Sequence, residues 1–182
     1  KTPEQIQTAL ASGCTMITLD ASEVLSDLPE NAPVHERYLA IPPDRRAELE
    51  AIYLENAAAG VVGLRIERAA LERLAVQYGA CVLLAERVYA ETILPQNRPV
   101  DLEISLDETA PVTAHAAHFF VANELTRRNI PYTSVAPRFV GEFHKAVDYV
   151  GSLPDLYADL QAHAKIAAHF GHKLSVHSGS DK

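Results

Sequence analysis

Apolar residues recur along this chain in two periods, and the alternation between them sets its organisation. The first stretch, Thr2-Pro3-Glu4-Gln5, reads as a helix start with Thr2 as cap and Pro3 in the first turn. Ile6 and Leu10 then face inward until Gly13 ends the helix. Cys14 to Asp20 is an apolar strand pattern closing on a carboxylate. Asp20 is either a site residue or the cap of the turn at Ala21-Ser22-Glu23.

From Leu25 to Pro43 the chain is rich in Pro, Asn and Asp and reads as a loop. Asp44 caps a helix through about Ala58, carried by Leu49, Ile52 and Tyr53 at helical spacing, and Gly60 to Gly63 breaks it. Ile66 to Tyr78 and Ala80 to Leu94 are again helical in period, so residues 25–95 form a helix-rich insertion that Pro95 to Pro99 closes. The second half is more regular. Val100 to Leu106 predicts a strand, Thr113 to Arg128 a helix, Tyr132 to Phe139 a strand, Asp155 to Phe170 a helix and Lys173 to His177 a strand. Strand and helix alternating over short joints imply an α/β fold with a parallel sheet and right-handed crossovers. About four such strands cannot close an eight-stranded barrel, so a TIM-barrel-like (β/α) architecture would be present only as a partial set of βα units. The expectation is one incomplete catalytic α/β domain over residues 1–182.

Composition narrows the function classes. The chain has 182 residues, 48% hydrophobic, with 16 basic and 24 acidic side chains for a net charge of −8. That balance, spread without long runs, argues against nucleic acid, and the apolar runs are too short and interrupted to span a membrane. Cys14 and Cys81 lie in apolar surroundings without a CxxC partner, as buried free thiols of a cytoplasmic protein would. The chain begins at Lys1 and stops directly after a loop that looks functional, which reads as a segment of a longer protein.

Chemistry in such sheets gathers at the carboxyl ends of strands. Glu103, Ser105, Asp107 and Glu108 belong to the first of these ends, Arg138, Glu142, His144 and Asp148 follow the second, and His177 with the Ser178-Gly179-Ser180-Asp181 loop follows the last. Two histidines with carboxylates from neighbouring strands suit a divalent metal, and a carboxylate left over can act as acid or base. Alternation places Glu103, Ser105 and Asp107 on one face. A carboxylate inside a strand needs a partner; a salt bridge to Arg138 or Lys173 is the structural alternative to a catalytic role. His115, His118, His163, His169 and His172 read as helix-surface residues and dipole partners, and His35 as a loop residue.

Three segments, Glu103-Ile104-Ser105-Leu106-Asp107-Glu108-Thr109, then Ala136-Pro137-Arg138-Phe139-Val140-Gly141-Glu142-Phe143 leading to Val147-Asp148-Tyr149-Val150-Gly151, then Lys173 through Lys182, together with Gly13-Cys14-Thr15-Met16, resemble the tagaturonate epimerase family. The resemblance covers essentially the whole chain. It implies a divalent-metal-dependent interconversion of D-tagaturonate and D-fructuronate, two keto-hexuronates, in hexuronate breakdown. It further implies Glu103 as proton donor and His144 and His177 as metal ligands, with Asp148 as the substitute for His144. Arg138 or Lys173 would bind the substrate carboxylate. Family members are longer at both ends and carry an aspartate-histidine pair just upstream of the part represented here, so the fragment alone is expected to be inactive. A homo-oligomer is in keeping with the sheet edges a partial barrel exposes. The competing readings are another divalent-metal sugar isomerase or aldolase, and a non-catalytic sugar-acid-binding fragment.

Overall fold

The computed structural model describes residues 3–22, 24–25, 28–29, 31–56, 58–107, 111–144 and 147–177. The expected Thr2 cap, Glu108 and the 178–182 loop lie outside the described residues. Helix α1 (Pro3–Ala11) leads into strand β1 (Met16–Asp20). Helices α2 (Val34–Leu39), α3 (Pro43–Glu50) and α4 (Arg68–Val88) follow, with a π-helical turn over Ala51–Glu55, a 3-10 turn over Ala58–Val62 and a second π-helical turn over Tyr89–Ile93. Strand β2 (Asp101–Ser105), helix α5 (His115–Arg127), strand β3 (Ser134–Ala136), helix α6 (Leu153–Phe170) and strand β4 (Lys173–Leu174) complete the order.

The four strands form one parallel sheet in the order β1-β2-β3-β4, each strand beside its neighbour in sequence. Thr18 is level with Glu103, Glu103 with Ser134, and Ser134 with Lys173. Period-two alternation then divides the sheet. Ile17, Leu19, Leu102, Ile104, Leu106 and Val135 enter the hydrophobic core with Leu71, Phe119, Phe120, Leu125 and Ile166 from the helices. Thr18, Glu103, Ser105 and Ser134 line the opposite face, so one side of the sheet is apolar and the other carries its polar groups.

Local chemistry explains the element ends. Gly13, at φ 96°, releases the chain after α1, and Arg98 donates to the carbonyls of Leu10 (2.8 Å) and Cys14 (2.7 Å), fastening that end beside the approach to β2. Ser152 caps α6 by accepting from the Asp155 amide, and Gly171 ends the helix in the left-handed conformation at φ 77°. Strand β3 is shorter than the Tyr132–Phe139 pattern predicts because Pro137 offers no N–H. Beyond it, the Arg138 amide donates to Thr113 Oγ1 and the Arg138 carbonyl accepts from the Thr113 amide, both at 2.9 Å. Strand β4 spans only two residues, yet its ladder continues through the Ser175 amide to the Val135 carbonyl at 3.0 Å.

Several expectations change. Pro42, not Asp44, holds the N-cap position of α3, and Asp44 lies in its first turn. The 25–43 stretch contains α2, which seats Tyr38 in the core. The two helical periods over 66–94 are one helix, α4, running on into a π-helical turn. Cys14 is exposed whereas Cys81 is buried, since Cys14 precedes the paired part of β1; both thiols are free. Among the described residues, no helix is long and apolar enough to cross a membrane.

Candidate functional site at the strand ends

Glu103 is the centre of the polar face. It is 4% exposed, and its neighbours by register supply the donors that a buried carboxylate needs. Thr18 Oγ1 donates to Oε1 at 3.0 Å from β1, and Ser134 Oγ donates to Oε2 at 2.5 Å from β3. His177 Nε2 lies 3.0 Å from Oε1, and the Ser175 side chain adds a further hydrogen bond. Burial alone would push the Glu103 carboxyl up, but the bonds from Ser134, Ser175, His177 and Thr18 outweigh it and hold the group below the usual carboxylate range. Glu103 is therefore an anion at neutral pH.

His177 joins Glu103 to a second carboxylate: its Nδ1 stands 3.2 Å from Asp107 Oδ2. Ser105 donates to the other oxygen of Asp107. A neutral imidazole donates from only one nitrogen, so here it would turn a lone pair toward one of the carboxylates, whereas the cation donates to both. The arrangement is a carboxylate, imidazole and carboxylate in sequence along the end of the sheet, with hydroxyl groups fixing each acid. It can exchange protons or present oxygen and nitrogen donors to a cation.

The other expected site residues occupy different places. Arg138 follows β3 at the same end of the sheet and is half-buried. Lys173 is exposed at the start of β4, four residues before His177, a spacing of about 13 Å along an extended chain. His144 is exposed and bonds Glu142 Oε2 at 2.8 Å. It belongs to a loop closed by the antiparallel bridge between Glu142 and Val150 and by Tyr149 donating to the Val140 carbonyl at 3.1 Å. Asp148 is exposed in the same loop. Glu103 and His177 are thus in contact, whereas His144 bonds Glu142 instead. Asp20 caps a turn, accepting from the Ser22 amide at 2.8 Å.

Sequence reasoning missed Thr18, Ser134 and Ser175 as the donors that hold Glu103, although matching parity on adjacent strands was the available signal. It also placed three histidines wrongly. His118 and His163 are fully buried and His172 is 7% exposed, because the helix surface each was assigned to is covered by a neighbouring element. His118 Nδ1 lies 2.9 Å from His163 Nδ1, and His118 Nε2 lies 2.8 Å from His172 Nε2. His115 and Asp159 continue the group, with 2.7 Å between His115 Nε2 and Asp159 Oδ1. Among the described residues, the one cluster of three metal-competent side chains is His115, Asp159 and His163, on α5 and α6 rather than on strand ends.

Fold and site together define a parallel α/β protein with an acidic, histidine-bearing centre on the polar face of its sheet. The sequence model of the tagaturonate epimerase family (UxaE) matches residues 1–182. A tagaturonate/fructuronate epimerase of Thermotoga maritima is 36% identical over 188 residues, covering 100% of this chain and 38% of that protein. Two crystal structures of the fructuronate-tagaturonate epimerase UxaE of Cohnella laeviribosi, one native and one with a glycerol, superpose with TM-scores of 0.89 and 0.90. Both are 39% identical to this chain, covering 100% of it and 38% of that enzyme. The chain belongs to the tagaturonate epimerase family, and it spans 38% of the length of the relatives it matches.

Proposed function

We propose that the chain is the part of a metal-dependent D-tagaturonate/D-fructuronate epimerase that carries the proton-transferring carboxylate, within hexuronate catabolism in the cytoplasm. The observation that supports this most is the contact of buried, ionised Glu103 with His177 on the polar face of a parallel sheet, in a family whose relatives bear that activity in their names. Sequential strand order, with polar groups on one face and the core on the other, suits a segment of a (β/α) barrel whose interior is that polar face. Residues 1–182 then form one incomplete catalytic domain, with residues 25–95 as its helix-rich insertion, and the fragment alone is inactive.

The two keto acids differ at a hydroxylated carbon one bond beyond the carbon next to the ketone, so enolisation by itself cannot invert it. A retro-aldol step can. Glu103 takes the proton of that hydroxyl, the carbon-carbon bond between it and the ketone's neighbour breaks, and the electron pair moves onto the ketone side as an enediolate. The aldehyde presents its other face, the bond re-forms, and Glu103 returns the proton to the new alkoxide. An ionised carboxylate is the form this cycle starts from, and the same group is acceptor and donor in turn. Arg138, at the same end of the sheet, is the candidate partner for the substrate carboxylate, to which a guanidinium can bind through two bonds. Lys173, at the start of β4 and about 13 Å along the chain from His177, is the weaker candidate.

The donor chemistry at this end of the sheet suits a divalent cation: an imidazole at His177 with carboxylates at Glu103 and Asp107. His177 would hold it, with His144 or Asp148 as the donor from the 137–151 loop. Bound there, the cation would supply a Lewis acid for negative charge on substrate oxygens.

The reading is tested by following D-tagaturonate by NMR in D2O with the full-length protein, with added divalent metal and again after chelation. Metal-dependent formation of D-fructuronate with no deuterium at the inverted carbon is expected. Deuterium at that carbon would replace retro-aldol by direct deprotonation and reprotonation. Turnover of keto sugars lacking the carboxylate, in preference to the uronates, would favour another metal-dependent sugar isomerase or aldolase.

A further inference from the structure

A second cluster of metal-competent groups lies on the helices. His115 opens α5, and Asp159 and His163 sit four residues apart on α6, so they share one helix face. Their ligand atoms all lie within 4.8 Å of one another. His163 Nε2 is 3.6 Å from Asp159 Oδ1, and His115 Nε2 is 2.7 Å from the same oxygen. Neighbouring ligands on a tetrahedral zinc ion stand about 3.3 Å apart, as bond lengths of about 2.0–2.1 Å require. The first separation is close to that edge already, and the second needs a small widening by the partly exposed His115 side chain.

Two features separate this cluster from an ordinary ion pair. His163 is fully buried; the Thr113 backbone comes within reach of its ring, yet Nε2, 3.6 Å from Asp159 Oδ1, makes no hydrogen bond of ordinary geometry. A buried nitrogen left without a partner is costly, and a cation would satisfy it. The groups around it are also fixed as outer partners of a metal site usually are. Asp159 Oδ2 accepts from the Val140 amide at 3.0 Å, leaving Oδ1 to face the two imidazoles. His163 Nδ1 faces His118 Nδ1 at 2.9 Å, and His118 Nε2 faces His172 Nε2 at 2.8 Å. Each of these contacts shares one proton, so the three rings have two concerted settings. In one of them His163 donates from Nδ1 and turns a lone pair on Nε2 toward Asp159.

We infer that His115, Asp159 and His163 form a site for a borderline divalent transition-metal ion of the zinc class, distinct from the strand-end site at Glu103 and His177. Three protein donors leave a fourth position for solvent, and His115 also borders a cleft of about 170 Å³ with Val62, Leu64, Ala162, Lys165 and Ile166. Lys165 is exposed, so its charge is screened by water. Occupied, the site would tie the start of α5 to α6 and, through Asp159, to Val140 at the base of the 137–151 loop. It would also select the tautomer setting in which His163 Nε2 is unprotonated.

The test is titration of the chelator-treated full-length protein with Zn2+ by calorimetry, and with Co2+ by the intensity of its visible absorption, which is strong only in tetrahedral sites. The variants are H115A, D159N and H177A, with circular dichroism as the check on folding. His115 is partly exposed, so H115A is the variant least able to disturb the fold. H115A and D159N are expected to lose one zinc equivalent, weakened at least about 100-fold, the upper end of what loss of an outer partner alone produces. H177A should keep that equivalent and its tetrahedral cobalt spectrum. Unchanged stoichiometry and affinity in folded H115A would overturn the assignment. So would the loss of all uptake in H177A, or the absence of any zinc binding to the unmodified protein.

Discussion

Ser134→Ala is the most informative single change, because it removes one oxygen from beside Glu103. Ser134 Oγ donates the shortest of the described bonds to that carboxylate, 2.5 Å to Oε2, from a residue that is 4% exposed. A hydrogen bond to a charged group contributes about 1.5–3 kcal/mol. Were all of it specific to the ionised form, the Glu103 pKa would rise by about 1–2 units, at 1.36 kcal/mol per unit. Thr18, His177 and Ser175 still donate, so the lower end, about one unit, is expected. The folded-state pKa of Glu103 lies below its unfolded value, so the associated stability is present above that unfolded value and is lost as pH falls through the folded one. Ser134→Ala makes that depression smaller, and part of the stability at neutral pH goes with it. The assay is the pH dependence of kcat/KM for epimerisation in the full-length protein, alongside urea denaturation at pH 7. The acid limb should move to higher pH by about one unit, with a loss of about 1–2 kcal/mol in unfolding free energy. An acid limb that stays in place while stability falls would show that Glu103 is not the group whose ionisation activity requires.

Three further changes probe other parts of the structure. Glu124 is 1% exposed and accepts from Tyr53 at 2.9 Å while paired with Arg45; Glu124→Ala should cost about 3–5 kcal/mol in urea melts, and a loss below 1 kcal/mol would refute the role of that pair. Burial pushes His163 and His172 down to about 4 and His118 well below its ordinary value, so all three fold as neutral rings. Their stability is complete above the unfolded value of about 6.5 and falls as pH drops toward 4, by up to about 1.4 kcal/mol per pH unit for each histidine. Flat unfolding free energies between pH 7 and 5 would contradict this. Gly141 sits at φ 84° with the Tyr149 hydroxyl where a Cβ would be, so Gly141→Ala should displace Tyr149 and open the loop that holds His144. Faster proteolysis within 137–151, with the rest of the chain intact, is the expected readout, and an unchanged digestion pattern the contrary one.

What could be read from the sequence followed the reach of local periodicity. The β1 and β2 patterns were legible because Ile17, Leu19, Leu102 and Ile104 alternate with polar residues that face a different environment, and Glu103 was conspicuous as an acid inside such a run. Helix α2 was not legible, since six residues between Pro33 and Pro42 are too few to establish a period. The buried histidines escaped for a different reason. Periodicity along α5 and α6 shows which residues share a helix face, but not which faces another helix covers, and His118 and His163 meet only through the α5–α6 packing. The strand-end site was half legible: Glu103 and His177 follow from strand ends, whereas the register that brings Thr18 and Ser134 beside Glu103 arises only from sheet pairing.

Whether the contact between Glu103 and His177 carries epimerisation is decided by the rate of D-tagaturonate conversion in the full-length protein and in Glu103→Gln. The substitution preserves size and the donors around the side chain while removing its charge and its capacity to take a proton. A fall in kcat of at least about 100-fold, the lower range for loss of a general acid-base group, with the fold retained by circular dichroism, is the predicted result. Conversion within a few-fold of the unmodified rate would contradict the account.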